Sequence, residues 1–74
     1  MRGVAVHTVQ RGGEWVNEIE GQGREGRGFW TKQEALQAGR ALARRLRVPH
    51  LVYNQYGTLE EHSSDWSHRL DEAA

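Results

Sequence analysis

Only one stretch of this 74-residue chain has the apolar spacing of a full helix, and the segment before it is broken repeatedly by glycine, which favours strands and turns there. Thr31-Lys32-Gln33-Glu34 reads as a capping box, with the Thr31 hydroxyl and the Glu34 carboxylate serving the first free backbone donors. Ala35, Leu36, Gly39, Leu42, Ala43 and Leu46 then recur at helical spacing and form one apolar stripe. Pro49 ends the run and pushes Val48 toward extended backbone. Trp30 is expected to pack near Ala35 as a hydrophobic staple. Arg40, Arg44, Arg45 and Arg47 crowd the last turns, where the helix dipole favours cations.

The flanking segments carry a period of two. Val4 to Val9 is short and β-branched, and Gly12-Gly13 follows it as a turn. In residues 14–20, Trp15, Asn17 and Ile19 share one face, and Glu14, Val16, Glu18 and Glu20 share the other. These two segments predict a hairpin. Residues 21–28 hold four glycines and are expected to be a loop, with Phe29 and Trp30 either adding a short third strand or pinning that loop to the core. Residues 50–53 and 58–62 predict a second hairpin around a turn at 54–57. The expected fold is α+β: an antiparallel sheet of two hairpins, in the order β-β-α-β-β, with one helix on one face. Residues 1–63 form the single domain in this reading, and residues 64–74 a tail that is partly disordered or one short helical turn.

The landmarks of this order resemble the bacterial domain-of-unknown-function family 2188, a set of small uncharacterised proteins. The resemblance rests on Gly13 with Trp15, on Thr31-Lys32-Gln33-Glu34-Ala35, on the alanine-rich run from Ala38 to Ala43, and on Leu51-Val52 with Gly57-Thr58-Leu59-Glu60-Glu61. It covers residues 4–63. It departs from the family pattern at Asn17, where a valine is usual, and at Tyr56, where an aspartate often precedes the hairpin glycine. The resemblance implies the fold and no activity.

Size limits what the chain can do. Seven of its apolar residues are alanine, so the core is small, and a single core of this length supplies roughly 3–5 kcal/mol. There is no cysteine, hence no disulfide and no thiolate metal site. No apolar run approaches a membrane span, and the first residues carry no signal-peptide core, so no membrane contact and a cytoplasmic location are expected.

Several constellations suggest chemistry without completing it. Gly21-Gln22-Gly23-Arg24-Glu25-Gly26 spells G-x-G-x-x-G, but it does not open a helix, and the chain is too short for a doubly wound sheet. No cofactor is expected. His7, His50, His62 and His68 lack ligand spacing, so no metal is expected. Ser63, Ser64, Asp65 and His68 are neighbours in sequence only, and Glu60 and Glu61 should alternate to opposite faces of a strand. No catalytic residue is assigned and no enzyme is expected.

Charge is balanced overall but not along the chain: residues 24–47 carry net +5 and residues 48–74 net −4. One helix covers one face of a sheet, so the other face, with Val16, should be bare and seek a cover. The expected function is a non-enzymatic interaction module with a protein partner. That partner is expected to be a second copy, held through the open face, an edge strand or the tail. Val16, Tyr53 and Trp66 are the candidate interface residues. The alternative expectation is nucleic-acid association through Arg24, Arg27, Lys32, Arg40, Arg44 and Arg47.

Overall fold

The first apolar run satisfies its backbone on both sides. In the computed structural model, which describes residues 4–63, strand β1 (Val6–Arg11) lies at the centre of a five-stranded sheet. Strands β2 (Glu14–Ile19) and β3 (Gly23–Phe29) follow as an antiparallel meander. Helix α1 (Lys32–Leu46) then crosses the sheet and delivers β4 (His50–Tyr53) to the other side of β1. Strand β5 (Leu59–Ser63) completes the order β3-β2-β1-β4-β5.

Two expectations change. The glycine-rich segment is a strand rather than a loop, because β2 offers it a ladder: Asn17 pairs with Glu25, Glu18 with Arg24 and Ile19 with Gly23. Its glycines serve the irregularities, with Gly23 at φ +93° and Gly26 at φ +74°. The sheet is mixed rather than antiparallel, because β1 and β4 run parallel, with Val6 opposite His50 and Thr8 opposite Val52. A helical crossover is what a parallel neighbour requires.

The helix begins and ends as its sequence dictates. The Glu34 amide donates to the Thr31 hydroxyl at 3.2 Å, and that hydroxyl donates to the Glu34 carboxylate at 3.1 Å. Trp30, expected as a staple, is instead 81 % exposed. Lys32 anchors this end: its ammonium lies over the Trp15 ring and pairs with Glu60 of β5. At the other end Arg47 adopts the left-handed conformation (φ 59°), and the Val48 amide closes on the Ala43 carbonyl at 3.0 Å.

Beneath the helix the core has two halves. Val6, Ile19, Leu42, Ala43 and Val48 form the apolar half, with Val4 and Leu46 packed against it. The other half is polar: Thr8, Asn17 and His50 are all buried on the three central strands. Buried polar atoms must find partners, and among the described residues no buried side-chain nitrogen or oxygen lacks one. The directions of these bonds follow from one fixed acceptor. Asn17 Nδ2 donates to the Ala35 carbonyl at 3.1 Å, so Asn17 Oδ1 faces Thr8 and accepts its only hydroxyl proton at 2.6 Å. Thr8 Oγ1 can then only accept from His50 Nε2, also at 2.6 Å. The chain runs His50 to Thr8 to Asn17 to the helix backbone, and it requires the His50 proton on Nε2.

Gly39 lies over this chain. A Cβ there would fall 2.8 Å from both Thr8 Oγ1 and His50 Nε2 and still closer to Asn17 Oδ1. Glycine is needed for proximity at this position, not for an unusual φ. The sequence pattern counted Gly39 as part of the apolar stripe, whereas it covers polar atoms. Gly39→Ala, although it favours the isolated helix, will lower stability by about 1–3 kcal/mol in urea unfolding, because no neighbour on the sheet can yield without breaking a bond. Long-range 15N NMR correlations of His50 will report protonation at Nε2 at neutral pH.

Candidate functional site

The face of the sheet away from α1 carries His7, Val9 and Arg11 from β1, with Glu14, Val16 and Glu18 opposite them on β2. Among the described residues no helix covers this face, yet Val16 has no exposed surface and Val9 only 8 %. The expectation that Val16 is displayed for a partner is therefore wrong. The cause is ionic. Arg11 stands level with Glu14, and Glu18 level with His7, so the Val9–Val16 pair lies between them. Arg11 reaches along the strand to Glu18 with two bonds, Nε at 2.9 Å and an Nη at 3.1 Å, and the side chains meet above that pair. On the β3 side Arg24, level with Glu18, reaches in the opposite sense to Glu14 at 3.5 Å. Gly28 leaves the room for this second contact, since a Cβ there would run into the Glu14 carboxylate. Two arginine–carboxylate pairs thus lie on the face that carries Val16.

Beside this lattice is an open groove of about 430 Å³ whose lining includes His7, Val9, Glu18, Glu20, Tyr53 and Asn54. It lies on the surface and takes nothing from the core. His7 organises it. Its Nε2 lies 3.2 Å from Glu20, its Nδ1 lies 2.9 Å from the Tyr53 hydroxyl, and the two rings stack at 5.7 Å. A neutral His7 protonated on Nε2 satisfies both contacts, donating to Glu20 and accepting from Tyr53. Both ring nitrogens are then engaged within the protein. Sequence reasoning missed this trio because Glu20 and Tyr53 are 13 and 46 residues from His7. Among the described residues no three metal-ligating side chains converge, and no helix is long and apolar enough to cross a membrane.

The structure separates the six cations assigned to nucleic acid. Arg24 is held on the far face by Glu14, and Lys32 pairs with Glu60. Arg27 lies over the Phe29 ring at 5.3 Å and borders a second groove, about 230 Å³, between β3 and α1. Arg40 and Arg44 are exposed on α1, and Arg47 forms its C-cap. The residue facing the same groove as Arg27 is Arg45, which the spacing argument had left out of its set.

Both sheet edges are irregular. Between Trp15 and Asn17 the β3 side inserts extra residues, and on β5 Glu60 has no partner between Val52–Glu61 and Tyr53–Leu59. That bulge overrides the expected alternation of Glu60 and Glu61. Glu61 pairs opposite Val52, on the helix side, and Glu60 also reaches the helix through Lys32. Of the remaining interface candidates, Tyr53 is half-buried beside His7, and Trp66 lies outside the described residues.

The titration of the Arg11–Glu18 pair is displaced. The hydrogen bond from Arg11 holds the Glu18 carboxyl below its ordinary range against a smaller opposing effect of burial, and the same bond holds the Arg11 guanidinium above its own. A lowered carboxylate stabilises the fold fully above the unfolded-state value, and that contribution is lost as pH falls through the folded-state value. Glu18→Gln will therefore cost up to about 1 kcal/mol at neutral pH, discounted for the exposure of Arg11, and its urea midpoint will converge on that of the parent in acid.

Comparison with curated proteins and with solved structures finds no match. The model of an uncharacterised protein family conserved in bacteria, DUF2188, matches residues 6–64, and the chain belongs to that family.

Proposed function

We propose that this chain is a non-enzymatic interaction module that self-associates through its β4–β5 hairpin. The observation that carries this reading is the exposure of Tyr56 (81 %) and Leu59 (48 %) at one hairpin end. Leu59 stands opposite Tyr53 in the register, so the patch is continuous with the His7–Tyr53 stack. The turn that presents Tyr56 is tightly bonded. Asn54 Oδ1 accepts from the Tyr56 amide at 2.8 Å and the Thr58 amide at 3.0 Å, while the Gly57 amide donates to the Asn54 carbonyl at 3.0 Å. An aromatic held this way loses little freedom on binding, which favours it as an anchor.

Strand-to-strand pairing at an edge is the less favoured form of this reading. Bulges and charged side chains at both edges are devices that discourage it. The open-face form has lost Val16, which has no exposed surface. Side-chain contact through the hairpin end is the form that the exposure of Tyr56 and Leu59 favours.

Light scattering over a wide concentration range will show a mass rising from monomer toward dimer. Tyr56→Ser with Leu59→Ser will hold the chain at the monomer mass without altering its circular dichroism. A parent chain that stays monomeric at every concentration overturns the reading.

A further inference from the structure

We propose that the groove between β3 and α1 binds single-stranded nucleic acid, with Arg27 and Arg45 taking phosphates and Trp30 stacking a base. The two guanidiniums stand on the two sides of the groove, Arg27 from the strand and Arg45 from the helix. Phe29, Ala38, Ala41 and Leu42 supply an apolar lining between them. Among the described residues no carboxylate lies within ion-pair distance of Arg45 or Arg27. Glu25 shares the groove as its one acidic side chain. Phe29, which lines the groove, leads directly into Trp30, which lies just outside the lining and is 81 % exposed at the point where the strand gives way to the helix.

A basic channel flanked by an open aromatic is the arrangement by which single strands are held without sequence readout: the cations track the backbone and the ring accepts any base. Guanidinium forks match phosphate oxygens in pairs. At 1.5 Å per residue, the helix between Ala38 and Arg45 gives the groove a length of about 10 Å, enough for one or two nucleotides. An anionic membrane fits less well, because the exposed side of α1 presents Gln33, Gln37, Arg40 and Arg44 and no large apolar side chain to insert. This surface lies at the β3 edge, opposite the β5 edge of the proposed self-association, so the two readings fail independently.

The helix contains its own control. Arg40 and Arg45 are five residues apart and therefore about 140° apart around α1, so only Arg45 faces the groove while both carry the same charge. Fluorescence anisotropy of the intact chain with a labelled oligothymidylate of about twelve nucleotides tests the site. The parent will bind, with log K falling against log salt at a slope of about −1.4 for two neutralised phosphates. Arg27→Glu and Arg45→Glu will each weaken binding more than about tenfold, Trp30→Ala about tenfold, and Arg40→Glu less than about threefold. Arg27→Gln and Arg45→Gln replace either charge reversal if circular dichroism shows that it does not fold. No binding at roughly 50 mM salt overturns the proposal. So does an Arg40→Glu effect equal to that of Arg45→Glu, or displacement of the oligonucleotide by polyglutamate as readily as by unlabelled strand.

Discussion

The close approach of the helix backbone to three hydrogen-bonded side chains governs the rest of this structure. Gly39 allows α1 to settle onto Thr8, Asn17 and His50, and Asn17 ties the helix to the sheet through the Ala35 carbonyl. Apolar packing alone would let a short helix slide or rotate over a small sheet, since van der Waals contact is nearly non-directional. A chain of bonds with fixed donors and acceptors does not tolerate this. It sets the helix's position along the strands, and from that follow the tilt that brings Lys32 to Glu60 and the groove that opens toward β3. Buried polar groups are often neutral in net stability, and their better-attested use is to select one arrangement.

The far face solves a different problem with different means. A sheet covered on one side must protect its other side from water. On that side stand Arg11 and Arg24, whose heads find carboxylates on β2, and the central Val16 is fully buried. Interaction modules are often recognised by a bare apolar sheet face, and that sign is missing here. Among the described residues the exposed large apolar side chains are Tyr56, Leu59 and Trp30, one group toward each edge of the sheet.

What the sequence revealed was local. The Thr31 cap, the helix it starts, the stop before Pro49, the Gly12-Gly13 hairpin and the alternation of Trp15, Asn17 and Ile19 all depend on residues within a few positions of each other. What it concealed depends on distant partners. A segment with four glycines is a poor strand in isolation and becomes one only because β2 already stands beside it. The parallel pairing of β1 with β4 leaves no turn signature, because the helix intervenes. The same limit applies to the surfaces. Arg45 joins Arg27 only once β3 exists, and His7 finds Tyr53 only once β4 lies against β1. Trp30 shows a local rule failing: the staple position was present, but Lys32 over Trp15 had already secured that end of the helix.

The kinks in the outer strands bear on how densely such molecules can be crowded. A straight margin of free amides and carbonyls would template the next chain, and that one another, toward a fibril. At one margin Glu60 bulges out of line, and at the other Gly26 bends the backbone, so neither offers an uninterrupted row to a neighbour. The irregularities leave the sheet finite.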